Sequence, residues 1–188
     1  MPPKARITKE MIIDASCTIV RHYGIEALNA RTLAKELHCS TQPVMYHFAT
    51  IDALKKETYH QIDHYHTNYL MTISEDQDPL LAIGLNYIRF ALKEPHYFKF
   101  LFQSGYADGH QLVDLLDQPD LLPLLSIIQE EADINEHQVK DLFLIIAMFV
   151  HGYASIIANN HLDYDENDVA AHLTKAFTGA LAAAKMED

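Results

Sequence analysis

Between residues 29 and 48, NARTLAKELHCSTQPVMYHF, the chain sets out side chains suited to gripping a nucleic-acid duplex. Gln42 carries donor and acceptor on one amide and can bond adenine N6 and N7 together. Thr41 can bond either way, and Thr41 or Pro43 can touch a thymine methyl. Tyr46 and His47 suit phosphate contacts, which set register without reading sequence. Other chemistry is thinly represented. There is no G-x-S-x-G, no Walker loop and no H-E-x-x-H, so an enzyme is not expected. Cys17 falls on an apolar helix and Cys39 in a turn, with no sign of thiol activation. His60 and His64 stand at i, i+4 with Asp63 and His66 adjacent, a spacing that can bind zinc or nickel. They face away from Ile62 and Tyr65, so a solvated surface with neither metal nor cofactor is the expectation.

Those side chains need short, rigid elements behind them. Asn29 is a good N-cap for a helix over 30–37, and Ser40 for one over 41–48. The turn His38-Cys39-Ser40 between them makes a helix-turn-helix. Ala34 is small enough for close helix approach. His38 occupies the turn position usually given to glycine, and histidine is among the few residues enriched at positive φ. Val44 points into the small core, and Pro43 falls in the first turn, where a missing N–H is tolerated. Thr41, Gln42, Pro43, Tyr46 and His47 then lie outward or at the tip. A purely structural helical hairpin would share this spacing.

The 188 residues suit one compact domain, or a small module joined to a larger one, and 49% hydrophobic with 21% charged excludes intrinsic disorder. Two cysteines exclude a disulfide scaffold and a Cys-rich zinc module. The start, MPPKARITKE, lacks the apolar stretch of a signal peptide, so a reducing, cytoplasmic setting is expected. The net charge of −12 is uneven: residues 1–60 carry eight Lys and Arg against six acids, so residues 61–188 carry −14. This describes an acidic body with a basic tip. The run LFLIIAMFV at 142–150 continues through His151 and Gly152 but falls short of a bilayer span; a buried helix is expected, and no membrane partner.

The periodicities are helical throughout, giving an all-α fold. A first helix opens at Thr8 and places Ile12, Ala15, Ile19, Val20 and Tyr23 on one face, with Gly24 as its C-cap. From about residue 50 a longer helix carries Ile51, Leu54, Thr58, Ile62, Tyr65 and Tyr69 at gaps of three and four. Further helices are expected over 80–93, from Pro95 through HYFKFLF, over 111–133 with breaks at Pro119 and Pro123, over 136–159, and over 165–185. SGYADGH is a loop.

Residues 7–58 resemble the N-terminal domain of the TetR family of bacterial transcription regulators. The resemblance runs through IIDASCTIVRHYG, G-I-E-A-L, R-T-L-A-K-E-L, S-T-Q-P-V-M-Y-H-F and D-A-L. It implies a helix-turn-helix domain over 1–49 and a larger helical ligand-binding and dimerisation domain over 50–188. It also implies a homodimer whose recognition helices enter successive major grooves of a palindromic double-stranded operator, and a small-molecule effector. DNA contacts carry over to Asn29, Arg31, Thr41, Gln42, Pro43, Tyr46 and His47. Met45 and Ile51 depart from the phosphate-binding tyrosine and lysine usual in the family, so no contact carries over to them. Each such loss weakens binding and flattens its salt dependence; Lys55, Lys56, Lys4, Arg6 or Lys9 could compensate.

FVHGYAS at 149–155 and EPHYFKFLF resemble one C-terminal subtype of the family. A helix apolar all round at 142–150 needs cover on two sides: its own subunit, and the matching helix of a second. Ala180, Ala182, Ala183 and Ala184 permit close packing there. Tyr87, Phe90, Tyr97, Phe98, Phe102, Phe143, Met148 and Tyr153 could line a mostly apolar effector pocket, with His151 as a polar tip. The expected function is a repressor relieved by a small molecule. The alternative, prompted by Met45 and Ile51, is a helical partner-binding or metal-sensing protein with weakened DNA binding.

Overall fold

The computed structural model describes residues 7–74, 76–107, 116, 121–160 and 162–186. Among these, nine α-helices and one 3-10 turn make an all-α fold without strands. They are α1 (Lys9–Tyr23), the turn Ile25–Ala27, α2 (Ala30–Glu36), α3 (Gln42–His47), α4 (Ile51–Leu70), α5 (Pro79–Lys93), α6 (Pro95–Gln103), α7 (Leu122–Ala132), α8 (Glu136–Asn160) and α9 (Glu166–Ala184). The chain forms two compact units, residues 1–66 with 94–107, and residues 67–93 with 108–188. The helical stretch expected over 111–120 lies, Leu116 excepted, outside the described residues.

In the first unit, Thr8 caps α1 by accepting from the Met11 amide. Ile12, Ala15, Ile19 and Val20 are buried as the periodicity requires, and Ser16 joins them by bonding back to the Ile12 carbonyl. Tyr23 departs from the expected stripe and stays exposed. It is the last residue of α1, where Gly24 (φ 79°) turns the chain away before a neighbour can cover the ring. Ile12, Leu28, Leu33, Val44 and Leu54 are fully buried or nearly so, and form the apolar centre under the helix-turn-helix. Against α1 packs α6, which buries Tyr97, Phe98, Phe100 and Leu101.

In the second unit, α8 packs against α5, α7 and α9, and α5 against α9. Gly84 lets α5 approach α9 closely: a Cβ there would collide with a terminal methyl of Leu173, which would have to shift. Asn86 is buried and donates to the carbonyls of Leu70 and Thr72 at 3.1 and 3.0 Å, satisfying the exit of α4. Gln138 bonds the Ala184 carbonyl at 2.9 Å, tying the start of α8 to the end of α9. By length and composition α8 could cross a bilayer. Its inner face buries Val139, Leu142, Val150, Ala154, Ile157 and Ala158. Its outer face leaves Ile145, Met148 and Ile156 exposed, so one chain alone covers only one side of this helix.

Candidate nucleic-acid interface

Two local devices hold the helix-turn-helix in shape. At the entrance of α2, Asn29 Oδ1 accepts from the amides of Arg31 (3.0 Å) and Thr32 (3.1 Å), and Thr32 Oγ1 accepts from the Asn29 amide (3.1 Å). This reciprocal capping box satisfies amide donors that the helix itself cannot pair. At the exit, the Cys39 amide bonds the Ala34 carbonyl (2.9 Å) and the His38 amide bonds the Lys35 carbonyl (3.2 Å). That is the Schellman pattern, with His38 left-handed at φ 50° in the place of a glycine. The turn therefore has the geometry read from the sequence. The entrance to α3 is displaced by one residue. Thr41, not Ser40, is the N-cap; its backbone is already helical and its side chain caps nothing. Pro43 sits in the first turn as expected.

Val44 is completely buried and fixes which way α3 faces. Around it Thr41, Gln42, Met45 and Tyr46 are exposed, Tyr46 by 77% and Met45 by 45%, with Pro43 and His47 half-buried. The side-chain polar groups of Arg31, Lys35, Thr41, Gln42 and Tyr46 make no hydrogen bond among the described residues. Two expected contact residues are otherwise engaged: Asn29 as the cap of α2, and His47, whose Nε2 donates to the Ile7 carbonyl at 3.1 Å. Lys9 is also committed, paired with Glu57 at 3.2 Å and lying 5.5 Å from the centre of the Phe48 ring. Lys35 was not among the expected contacts. It is exposed on α2, four residues after Arg31 and so on the same face of the helix.

The expected effector-pocket residues divide between the units. Phe98 and Phe102 belong to the first, with ring centres 5.0 Å apart. Tyr87, Phe90, Phe143, Met148, His151 and Tyr153 belong to the second. There His151 lies between two hydroxyls, Tyr87 on Nδ1 at 2.9 Å and Ser155 on Nε2 at 3.1 Å. Burial pushes the Tyr87 phenol up and the imidazole down, so both groups are neutral. The neutral ring donates at one nitrogen and accepts at the other, joining both hydroxyls in one chain. Tyr153 bonds His172 at 2.7 Å, Phe90 is fully buried, and Met148 is exposed. Phe143 packs on the apolar cluster around Leu125 and Leu142. A cleft of about 350 Å³ opens between α7 and α8 instead, with Leu122, Leu125 and Val139 as its apolar wall and Gln129, Glu136 and Lys140 as its polar rim. It includes none of the expected residues.

This arrangement defines an all-helical protein with an N-terminal helix-turn-helix. Residues 80–179, more than half of the chain, match the family described as tetracyclin repressor-like, C-terminal domain, and the chain belongs to the TetR family of transcriptional regulators. Solved structures share the fold. A TetR-family regulator from Streptomyces coelicolor superposes with a TM-score of 0.72 at 14% identity, over 95% of this chain and 82% of the other. A TetR variant from Acinetobacter baumannii in complex with minocycline gives 0.62 at 13%, over 96% and 97%. The multidrug binding protein EbrR complexed with ethidium gives 0.56 at 19%, over 94% and 99%. A comparison with functionally curated proteins gives no match.

Proposed function

We propose that this chain is a homodimeric, cytoplasmic repressor that binds a palindromic double-stranded operator and releases it when a small molecule binds. In this reading residues 1–49 contact DNA, and residues 50–188 bind the effector and dimerise. The observation that carries the reading is the set of uncommitted polar side chains on the helix-turn-helix: Arg31, Lys35, Thr41, Gln42 and Tyr46, grouped around a buried Val44. Arg31, Lys35 and Tyr46 supply phosphate contacts, and α3 supplies base contacts. The exposed apolar side of α8 supports dimerisation, with Gly152 leaving open space for a close partner. The chain of hydroxyls through His151, among Tyr87, Phe90, Phe143, Met148 and Tyr153, supports an effector site of apolar walls and a few polar tips. The bound minocycline and ethidium of the structural neighbours support a small-molecule effector. Coupling of this kind amounts to about 1–3 kcal/mol, a roughly 5- to 150-fold loss of operator affinity.

The test is selection of the purified protein against a random duplex library at about 0.15 M salt, where non-specific binding is weak. An enriched palindrome is the expected result. Failure to enrich any sequence, at lower salt as well, would remove the operator from the account.

A further inference from the structure

We infer that the base pairs read by α3 are A·T, with adenine paired to Gln42 and thymine methyls set against Met45 and Pro43. This rests on the operator-binding reading above and specifies the class of half-site.

Guanine announces itself in the major groove by two acceptors, O6 and N7, and is read by the paired donors of arginine or by lysine. From its N-cap to its last residue α3 reads Thr41, Gln42, Pro43, Val44, Met45, Tyr46, His47, with neither Arg nor Lys. The exposed cations beside it belong to α2, Arg31 in its first turn and Lys35 in its last. Beyond the Gln42 amide, His47 is the one remaining side-chain nitrogen donor on the helix, and its Nε2–H is spent on the Ile7 carbonyl.

Adenine is served differently. It presents N6–H₂ as donor and N7 as acceptor, the complement of a carboxamide. Gln42 is exposed, and its amide makes no hydrogen bond among the described residues. Its oxygen and nitrogen are therefore both available. Thr41 offers one oxygen, without the two separate atoms by which a carboxamide matches N6 and N7. Met45 is 45% exposed on the same short helix, and its flexible thioether adapts to an irregular apolar surface such as a thymine methyl. Pro43, half-buried and without an N–H, presents only ring carbons. The departure at Met45 thus exchanges a phosphate contact for an apolar one to a base.

The experiment runs the random-duplex selection in parallel with the parent, Gln42→Ala, Gln42→Arg and Met45→Ala, each confirmed folded by thermal unfolding. The parent is expected to enrich a palindrome with one adenine per half-site favoured about 10- to 100-fold, the discrimination of a good bidentate pair. Gln42→Ala flattens that position alone and leaves the palindrome spacing intact, Gln42→Arg moves it to guanine, and Met45→Ala weakens a thymine preference nearby. An enriched palindrome in which Gln42→Ala changes a G·C position, or none, overturns the inference while the regulator reading stands. No enriched palindrome with the parent overturns the regulator reading, and this inference with it.

Discussion

Glu94, the N-cap of α6, grips Arg21 of α1 with both carboxylate oxygens: Nε donates to Oε2 at 2.9 Å, and Nη2 lies 2.9 Å from Oε1. The guanidinium stands 5.2 Å from the centre of the Tyr65 ring and 4.9 Å from that of Tyr97, and Tyr65 donates its hydroxyl to Glu94 Oε1 at 3.2 Å. Helices α1, α4 and α6 therefore meet at one cation. A part-exposed ion pair contributes little by itself, up to about 1 kcal/mol, and each ring contact adds about 0.5–1 kcal/mol. Arg21→Ala is expected to lower the unfolding free energy by about 1–2 kcal/mol, and Arg21→Lys by less. Urea unfolding checks this; a parent-like midpoint for Arg21→Ala would mean that the cluster stabilises nothing.

His38 holds a left-handed backbone that glycine adopts without strain. His38→Gly is expected to raise stability by up to about 1 kcal/mol, since relief of the αL strain outweighs the added freedom of the unfolded chain. His38→Val should lower stability, because a branched Cβ is least tolerated at positive φ. The two melting temperatures should bracket that of the parent.

Leu33, like Val44, is completely buried. Leu33→Ala is expected to cost about 2–5 kcal/mol and to lose DNA binding together with the folded helix-turn-helix. Gln42→Ala should change binding without changing stability. Denaturation curves set beside binding isotherms separate the two; equal stability losses would place Gln42 in the core after all.

Burial holds the His66 imidazole at about 4, below its ordinary value of 6.5. The unfolded chain therefore takes up the proton first, and stability falls as pH drops through the window from about 6.5 to about 4. The full loss is about 3 kcal/mol, and above pH 6.5 this group contributes no slope. His151 is shifted in the same direction, so the diagnostic quantity is the difference between parent and His66→Gln. The variant should show a shallower decline across that window, by unfolding at several pH values. Parallel curves would exclude the assignment.

The outer face of α8 carries Ile145, Met148 and Ile156. Ile156→Glu combined with Ile145→Glu is expected to convert a dimeric mass to a monomeric one in light scattering at micromolar protein, with helicity retained. A parent that is already monomeric would assign that face another partner.

How much of this could be read from residue types follows from the range of the interactions. The N-cap at Asn29, the turn at His38 and the inward Val44 depend on neighbours within a few positions, and each is legible. The Arg21–Glu94 clasp joins residues 73 apart, and no periodicity announces such a pair. His66 is next to the exposed His60 and His64 in the metal-ligand spacing, yet it is buried, its ring 5.4 Å from that of Phe102. Its position four residues after Ile62 and eight after Thr58 placed it on the inner stripe of α4, a signal overridden by its polarity. Tyr97 and Phe100 are buried while Phe102 on the same helix is partly exposed; the choice is made by α1 and α4, not by α6 itself.

The unit that contains the helix-turn-helix is not continuous in sequence: residues 67–93 intervene before α6 returns to it. During synthesis, α1 to α4 leave the ribosome with the surface that α6 will cover still open, and closure waits until about residue 107 has emerged. The same interruption bears on dissection. A fragment ending with α4 would lack Tyr97, Phe98, Phe100 and Leu101, and would expose the apolar surface that they bury. The practical boundary for expressing the unit with the helix-turn-helix alone is therefore no single cut but a loop-out: residues 7–66 joined to 94–107 through a short linker in place of 67–93.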